Sequence, residues 1–236
     1  MAAYNGDGGT IALWDAGTGA SIRTLPGHPI ASRKHTSGAN TCCAALAADA
    51  TTLASGGFDD AVRLWNVETG AARRAITVGA LPYALAFSRD GSLLAVGVFP
   101  KKVLVMATAT GKKIAEATAS KNAVTSVVFM ANGELVTGGG GGELVRWRLV
   151  GAKLVQVHAY VKPDGGGIEG VAISPDDSLL AAASRARWTR VWELESGRER
   201  RDLAREGELG LGVDFTPDGQ HLVIAGPSPL AIVSVR

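Results

Sequence analysis

The sequence predicts an all-β protein built of repeated four-stranded antiparallel units. A stretch of the form "AVRLWNVETG" (61–70) recurs as "TIALWDAGTG" (10–19) and as "TRVWELESG" (189–197). Short apolar runs with alternating patterning and glycine-containing turns surround each copy. No stretch has the periodicity of a helix of useful length. The recurrence therefore indicates a repeat architecture made of strands.

The spacing of the recurring motif is nearly constant. Its anchor residues are Trp14, Trp65, Met106, Trp147, Trp192 and Val233, which are separated by 51, 41, 41, 45 and 41 residues. A period near 41 falls in the range of about 40 to 45 residues that is typical of propeller blades with four strands. We therefore expect a β-propeller of four-stranded antiparallel blades, with six repeats visible in the chain.

Each repeat divides into four expected strands, a to d. Strand a is a run such as "VTSVVF" or "VAI", and strand b follows a hairpin turn. These turns read "SRDG" (88–91), "SPDD" (174–177) and "TPDG" (216–219), in which Pro sets φ while Asp and Gly tolerate a tight backbone. Strand c carries the anchor residue, and strand d follows the glycine turn of "ETG", "ATG" or "ESG". Small and β-branched residues dominate the inner strands, as expected when neighbouring blades cover both faces.

We expect one domain over residues 1–236, and its ends differ from the other repeats. The repeats span approximately 1–27, 28–79, 80–122, 123–166, 167–207 and 208–236. The first repeat has no strand a and the sixth has no strand d, so the first and last blades are incomplete. Three arrangements remain open: closure as six blades with two thin ones, a fragment of a seven-bladed ring, or an open ring completed by a partner's strand.

These motifs resemble the WD-repeat (WD40) family of β-propellers over essentially the whole chain. The second repeat matches best, with "GH" at 27–28 and "LASGGFDDAVRLWN" at 53–66. The resemblance implies a buried hydrogen-bond network of His28, Ser55, Asp59 and Trp65. Such a network would join the loop entering the blade to its second and third strands. We interpret this network as structural rather than catalytic.

The family signature is eroded in the other repeats. The position of Asp59 is taken by Pro100, Gly141 and Ala186 in the next three repeats. The anchor tryptophan is replaced in the third and sixth repeats, which we expect to rely on apolar packing alone.

Composition and charge restrict the function classes. The chain has 236 residues, of which 46% are hydrophobic and 19% charged, and a formal net charge of +2. This composition is globular, and the charge is too small to argue for nucleic acid or an anionic membrane. Neither a signal peptide nor a stretch of about 20 apolar residues is visible.

The two cysteines bear on the compartment. Cys42 and Cys43 are neighbours, so a disulfide framework is excluded and a reducing compartment is the simplest interpretation. We expect a cytoplasmic protein, with the nucleus left open. Adjacent residues on a strand point to opposite faces, so at most one of the two cysteines should be buried.

The sequence contains no motif for catalysis or for metal binding. HExxH, CxxC, GxSxG and calcium-loop patterns are missing, and the four histidines are scattered over three repeats. The run "TGGGGGELV" (137–145) has Glu143 where a phosphate-binding loop requires Lys. We interpret the run as a flexible b–c turn, with a glycine-lined ligand contact as the alternative. We expect no enzyme activity, no metal and no cofactor.

The basic clusters do not predict nucleic-acid binding. "SRARWTR" (184–190) could stack bases and hold phosphates, but acidic residues intermingle with the following "RERRDLARE" (198–206). The lysine pairs at 101–102 and 112–113 are interpreted as polar decoration of exposed turns and edges.

The family resemblance implies that the d–a and b–c loops share the face that binds protein partners. Two d–a connections, 29–40 and 158–167, exceed the repeat period, and long loops on a rigid scaffold are where function concentrates. Aromatic and basic residues of these loops are the candidate partner contacts. They are Arg33, Lys34, His35, Phe58, Tyr83, Phe99, Tyr160, Arg185, Arg187 and Trp188. Phe58 and Phe99 could instead plug the gap between blades, whereas Arg185 and Trp188 are expected to reach outward.

From these observations we expect a non-catalytic scaffold or adaptor that binds a protein or peptide partner. One form of this expectation places the protein within a multi-subunit complex. One alternative is a regulatory or sensor propeller segment of a larger multidomain enzyme. Another is an open propeller completed by a partner's strand. A propeller hydrolase has no support, because the inner strands carry Ala, Val, Ser and Gly rather than converging acids or histidines.

Overall fold

The computed structural model describes residues 2–5, 9–28, 41–160, 166–203, 210–227 and 229–235. Within these ranges, 22 strands form six antiparallel sheets, and no α-helix occurs. The described part of the chain accordingly contains no helix that could cross a membrane. The prediction of an all-β fold is confirmed.

The first three sheets follow one another along the chain. The first contains β1 (Ala2–Asn5), β2 (Ile11–Trp14) and β3 (Ser21–Leu25). The second contains β4 (Thr41–Leu46), β5 (Thr52–Gly57), β6 (Ala61–Asn66) and β7 (Ala72–Thr77). The third contains β8 (Pro82–Phe87), β9 (Leu93–Val98), β10 (Lys102–Ala107) and β11 (Lys113–Thr118).

The last three sheets repeat the same order. The fourth contains β12 (Val124–Phe129), β13 (Leu135–Gly139), β14 (Leu144–Val150) and β15 (Lys153–Ala159). The fifth contains β16 (Ile168–Ile173), β17 (Leu179–Ser184), β18 (Trp188–Glu193) and β19 (Glu199–Asp202). The sixth contains β20 (Gly212–Phe215), β21 (His221–Ala225) and β22 (Ala231–Ser234).

Each sheet is a blade in which sequential strands pair as antiparallel neighbours. The four middle blades have four strands, while the first and the sixth have three among the described residues. The prediction of six repeats with incomplete first and last blades is confirmed. The first strands of successive blades lie next to one another, from β4 through β8, β12 and β16 to β20.

The anchor residues of the four complete blades lie on the third strand and form the core between blades, whereas Trp14 of the first blade is 41% exposed. Trp65, Met106, Trp147 and Trp192 are all buried. Each packs against the blade that precedes its own, as Trp147 does in a cluster with Val105 of the third blade. The hydrophobic core therefore lies between consecutive sheets, and burial of these side chains stabilises the stacking.

The glycines that follow Trp65 and Trp192 allow the preceding blades to dock. Gly70 and Gly197 have φ angles of 75° and 69°, which favour glycine. A Cβ atom at Gly70 would lie 2.8 Å from Cδ of Arg23, and one at Gly197 would lie 2.1 Å from Nε2 of His158. Arg23 and His158 belong to the outer strands of the preceding blades, and Arg23 also donates to the carbonyl oxygen of Glu68 at 2.8 Å. Gly70 and Gly197 thus serve both the turn and the blade contact.

The a–b turns lie at the end of the blades opposite to the b–c turns. Contacts between these a–b turns connect three consecutive blades. The carboxylate of Asp177, in the fifth blade, accepts a hydrogen bond from the backbone N–H of Ala131 at 2.6 Å. It also accepts one from Nη2 of Arg89, in the third blade, at 2.8 Å. These contacts hold the third, fourth and fifth blades in a fixed order around their inner strands.

The first strand of every complete blade contains a β-bulge near its beginning. The pairing register shifts between Thr41 and Cys43, and it shifts in the same place in β8, β12 and β16. The extra residues at the four bulges are Cys42, Tyr83, Thr125 and Glu169. A bulge re-aims side chains at the end of a sheet, which determines what the surface at this end presents.

The bulge also affects the two cysteines, neither of which is fully buried, in agreement with the expectation that at most one of them would be. Cys42 and Cys43 do not point to opposite faces, because the bulge breaks the alternation of the strand. Their Sγ atoms lie 4.0 Å apart, and both residues are half-buried and free. The carbonyl oxygen of Pro82 lies 2.7 Å from Sγ of Cys42, so this thiol contacts the third blade.

Candidate partner-binding site

The short bulge side chains join neighbouring blades. The hydroxyl of Thr125 lies 3.1 Å from the carbonyl oxygen of Gly138 in its own blade and 2.5 Å from that of Ile168 in the next blade. Sγ of Cys42 makes the equivalent pair of contacts, with Gly56 and Pro82. A small polar side chain at the bulge therefore closes the gap between two inner strands.

Two bulges instead carry large side chains, Tyr83 and Glu169. Tyr83 is 43% exposed, and its ring packs against that of Phe99, which is 46% exposed. The two ring centroids are 6.4 Å apart with a tilt of 49°. Phe99 lies in the b–c turn after β9, where its N–H donates to the carbonyl oxygen of Leu81. The bulge and the turn together create an exposed aromatic pair.

The second large bulge residue holds an arginine. Arg185 lies in the b–c turn after β17, and its N–H donates to the carbonyl oxygen of Gly167 at 3.0 Å. Its Nε lies 2.6 Å from Oε1 of Glu169. The side chain of Glu169 is only 17% exposed, whereas that of Arg185 is 69% exposed. The covered carboxylate thus fixes the guanidinium while most of the arginine side chain faces solvent.

A cavity of about 180 Å³ lies between the aromatic pair and the ion pair, and we call it the face cavity. Its lining consists of Tyr83, Phe99, Asn122, Ala123, Thr125, Gly140, Gly167, Glu169 and Arg185. One wall offers ring faces and the other offers a cation with its carboxylate partner. This arrangement can hold one side chain of a bound peptide through stacking and charge, since both features are typical of interface anchors.

The glycine run of the fourth repeat forms part of this cavity. Gly140 lies in a b–c turn, as the alignment of the repeats indicates, and its N–H donates to the carbonyl oxygen of Ala123 at 2.8 Å. A Cβ atom at Gly167 would lie 2.9 Å from the carbonyl oxygen of Gly140. A side chain at Gly167 would therefore push the two turns apart and change the cavity wall.

The expectation that Trp188 reaches outward was wrong, and Tyr160 is also not a surface residue. Trp188 is 5% exposed and Tyr160 is 3% exposed. Trp188 packs edge-on against Trp192, with centroids 6.3 Å apart, between the fourth and fifth blades. The hydroxyl of Tyr160 donates to the carbonyl oxygen of Leu194 at 2.9 Å, and burial raises the pKa of Tyr160 to about 12. Burying these large rings is more favourable than exposing them.

The other candidate contacts divide into three groups. Arg187 is exposed, with a φ of 64° in the b–c turn of the fifth blade. Phe58 is half-buried. Arg33, Lys34 and His35 lie outside the described residues.

Glu169 and Asn122 contribute to the face cavity but were not among the candidates. The sequence signal for Glu169 was its position next to the start of a first strand, equivalent to that of Tyr83. This equivalence becomes visible only when the bulges are aligned.

The second blade contains a continuous chain of hydrogen bonds between side chains. Nε1 of Trp65 donates to Oγ of Ser55 at 2.9 Å, and Oγ of Ser55 lies 2.8 Å from Nε2 of His28. Nδ1 of His28 lies 2.8 Å from Oδ1 of Asp59, and Nη1 of Arg63 lies 2.6 Å from Oδ2. A neutral imidazole that donates from Nδ1 to Asp59 and accepts at Nε2 from the hydroxyl of Ser55 matches these two partners, and Nη1 of Arg63 also lies 2.5 Å from Nδ1.

The electrostatics of this chain match a structural role. Burial lowers the pKa of His28, and the hydrogen bond with Asp59 offsets this only in part. Burial alone would raise the pKa of Asp59, but hydrogen bonds from Arg63 and His28 bring it below its ordinary value. His28 and Ser55 are buried at 2% and 0% exposure, so neither side chain is available to a substrate in solvent.

The fold and this geometry define a class of protein, a repeat protein made of antiparallel blades of up to four strands. The family model described as "WD domain, G-beta repeat" matches residues 19–66 and 155–193. The first match contains the hydrogen-bonded chain of the second blade, and the second contains Trp192. In its fold and in these two regions the chain is similar to WD-repeat proteins.

Curated relatives are similar over most of the chain. "Transcription factor unc-37" of Caenorhabditis elegans is 28% identical over 189 residues, which cover 79% of this chain and 28% of that protein. "Autophagy-related protein 16" of Arabidopsis thaliana is 23% identical over 191 residues, which cover 78% of this chain and 35% of that protein. "WD repeat-containing protein SL1-17" of Schistosoma mansoni is 26% identical over 189 residues, which cover 80% and 45%. The chain spans less than half the length of these relatives.

Proposed function

We propose that this protein is a non-catalytic interaction module that binds a protein or peptide partner on the face formed by its d–a and b–c loops. The observation that carries the proposal is the exposed pair of Tyr83 and Phe99 beside the ion-paired but exposed Arg185. Aromatic and arginine side chains supply most of the binding energy at protein interfaces. Here three of them surround one cavity on a rigid framework of strands.

The contacts of the face cavity indicate the kind of segment it would bind. A partner side chain that enters the cavity would stack against the rings of Tyr83 and Phe99. A partner carboxylate would meet the exposed part of the Arg185 guanidinium, whose orientation Glu169 already holds. Because both walls are preformed, little conformational entropy is lost on binding.

The comparisons support an interaction module rather than a particular reaction. The names of the relatives refer to transcription in one case and to autophagy in another, and neither name states an enzymatic activity. Each relative is also much longer than the matched segment, which favours a module that works within a larger assembly. We place the protein in a reducing intracellular compartment, since its two cysteines are free.

A second version of the proposal is a regulatory or sensor segment of a larger multidomain protein. The observation that favours it is the short share of each relative that this chain covers, between 28% and 45% for the three described above. In that version the face cavity would bind another part of the same protein.

Affinity purification with mass spectrometry tests the proposal. The bait is the full chain, compared with a variant carrying Tyr83→Ala, Phe99→Ala and Arg185→Ala. We expect the variant to lose a defined set of partners while its thermal unfolding is little changed, because all three residues lie at the surface and are between 43% and 69% exposed.

The matched control removes two valines and one arginine from another exposed surface. It carries Val150→Ala, Val155→Ala and Arg198→Ala, whose side chains are 55%, 47% and 71% exposed. If the face variant keeps every partner of the wild type, the proposed face is wrong.

A further inference from the structure

The largest cavity we describe lies away from the face cavity, at the junction between the second and third blades. It has a volume of about 490 Å³ and lies between β7 on one side and β10 and β11 on the other. This volume is within the range of about 300 to 1,000 Å³ that is typical of ligand sites. We call it the junction cavity. Its apolar floor includes Ile76, Leu104 and Met106, and its polar rim is Lys102, Lys113 and Glu116.

The junction cavity exists because small or flexible side chains replace aromatic ones. Met106 pairs with Leu94 on the second strand of the third blade. Trp192 pairs with Leu180 on the second strand of the fifth blade, so Met106 and Trp192 occupy equivalent positions. By the same register, Lys102 is equivalent to Trp188.

A third position shows the same difference. Ile76 lies on β7, the outer strand of the second blade, and pairs with Val62 of β6. In the fourth blade the equivalent residue is Tyr160, whose N–H donates to the carbonyl oxygen of Leu144.

The junction between the fourth and fifth blades shows what this framework accommodates. There the rings of Tyr160, Trp188 and Trp192 fill the space, with neighbouring centroids 6.1 and 6.3 Å apart. Between the second and third blades, the equivalent strands pair in the equivalent register but enclose an open space. An aromatic ring supplied from outside would therefore find walls with the geometry that holds rings elsewhere in this chain.

The rim of the junction cavity has a surplus of positive charge. Nζ of Lys102 and Nζ of Lys113 lie 2.7 and 2.6 Å from the two carboxylate oxygens of Glu116. Their side chains are 48% and 53% exposed, so both ammonium groups remain accessible to a partner. The adjacent Lys101 and Lys112 are also exposed. Two lysines at the rim against one glutamate, with two more exposed lysines next to them in the chain, favour acidic groups of a partner.

We propose that the junction cavity binds a segment of a partner protein in which an aromatic side chain is flanked by acidic residues. The ring enters the cavity and packs on Ile76, Leu104 and Met106. The flanking carboxylates pair with Lys102 and Lys113 at the rim. This site is separate from the face cavity, although Phe99 borders both.

A fluorescence polarisation titration of the full chain tests this proposal. The probe is a dye-labelled synthetic peptide of sequence Gly-Asp-Asp-Trp-Asp-Glu-Gly. We expect saturable binding, and loss of about tenfold or more in affinity when the peptide tryptophan is replaced by alanine. Replacing its acidic residues by the corresponding amides should also weaken binding and reduce its dependence on salt.

Two variants of the protein locate the binding. Met106→Trp restores the residue of the equivalent repeats and fills the cavity, so the affinity should fall by about tenfold or more. Lys113→Glu changes only an exposed side chain, so it keeps the fold, and it should weaken binding by about threefold or more. Lys153→Glu is the control, since it makes the same charge change on the fourth blade.

Three results would overturn the proposal. They are no saturable binding up to about 1 mM protein, affinity unchanged in both Met106→Trp and Lys113→Glu, or equal weakening by Lys153→Glu. The last result would mean attraction by net charge alone. The variant Arg185→Ala changes a residue that lines the face cavity alone and should bind this peptide normally, so failure at the junction cavity and failure at the face cavity remain distinguishable.

Discussion

Trp192 and Ala182 occupy in the fifth blade the strand positions that Trp147 and Thr137 occupy in the fourth. In the fourth blade, Nε1 of Trp147 donates to Oγ1 of Thr137 at 2.9 Å. In the fifth blade, Nε1 of Trp192 is buried without a hydrogen-bond partner among the described residues. The reason is chemical, because the methyl group of Ala182 cannot accept a hydrogen bond. A buried donor of this kind lowers stability.

Supplying the missing acceptor should stabilise the protein. Ala182→Ser places a hydroxyl at the position of Ser55 and Thr137, so we expect a gain of about 0.5 to 1.5 kcal/mol in the free energy of unfolding. Urea denaturation measures this change. Ala181→Ser is the matched control, because Ala181 is equally buried at 0% exposure but lies in the core between the fifth and sixth blades. The control should lose stability, and loss of stability in Ala182→Ser as well would contradict the explanation.

Breaking the hydrogen-bonded chain of the second blade should cost more than breaking a single bond. Ser55→Ala removes the partner of both Trp65 and His28, so we expect a loss of about 2 to 4 kcal/mol. Thr137→Ala removes the side-chain partner of Trp147 alone and should cost less. Chemical denaturation of both variants gives the comparison. Equal losses would mean that the bond from Ser55 to His28 contributes nothing.

The burial of His28 should make stability depend on pH. Its pKa in the folded state is below the ordinary value of 6.5, because burial disfavours the charged imidazole. Between the pKa of His28 in the folded state and its pKa in the unfolded state, the unfolded state therefore binds a proton more readily. The free energy of unfolding accordingly falls as the pH decreases from about 7.5 through this range. The contribution of Asp59, whose pKa is also lowered, is lost only below its ordinary value of 3.8.

Unfolding midpoints in urea between about pH 5.5 and pH 7.5 measure this dependence. The variant His28→Gln keeps an amide for hydrogen bonding but cannot titrate. It should be less stable than the wild type at neutral pH and should show a flatter profile. A profile as steep as that of the wild type would assign the effect to another group.

Removing Arg146 should destabilise the contact between the fourth and fifth blades. Arg146 is 4% exposed and pairs with Glu134, which is 3% exposed, while its Nη2 lies 2.9 Å from Glu195 of the fifth blade. Arg146→Ala leaves the Glu134 carboxylate buried with only Arg148, so we expect a loss of about 3 to 5 kcal/mol. Arg148→Ala is the control, since its side chain is 57% exposed and its loss should cost less than about 1 kcal/mol. Thermal or chemical unfolding distinguishes the two.

Two glycines separate the effect of backbone conformation from the effect of blade contact. Gly19 and Gly197 have φ angles of 71° and 69°, so alanine is strained by about 1 to 2 kcal/mol at either position. No atom of the described chain lies within 4 Å of a Cβ atom at Gly19, whereas Nε2 of His158 would lie 2.1 Å from one at Gly197. Gly197→Ala should therefore cost about 1 to 2 kcal/mol more than Gly19→Ala. Equal costs in denaturation experiments would show that His158 moves aside freely.

The strands were predictable because their signals are local. The run "KKVLVMA" lies between two turns, and it forms β10 with Met106 on its buried face. The a–b turns were equally readable, since Gly91 and Asp177 adopt the positive φ that such turns require. The candidate site was predicted less completely. Tyr83, Phe99 and Arg185 surround the face cavity, whereas Trp188 is buried.

The sequence by itself determined the period, the strand order and the turns, because each depends on residues close together in the chain. Only the tertiary structure decided which side chains reach the surface. Bulges in the first strands change the direction of Tyr83 and Glu169, and the neighbouring blade decides whether a ring such as Trp188 is covered. The junction cavity has the same origin, because Met106 leaves a space only when the second blade packs against it. Contacts between blades join residues far apart in the chain, and no local pattern of the sequence encodes them.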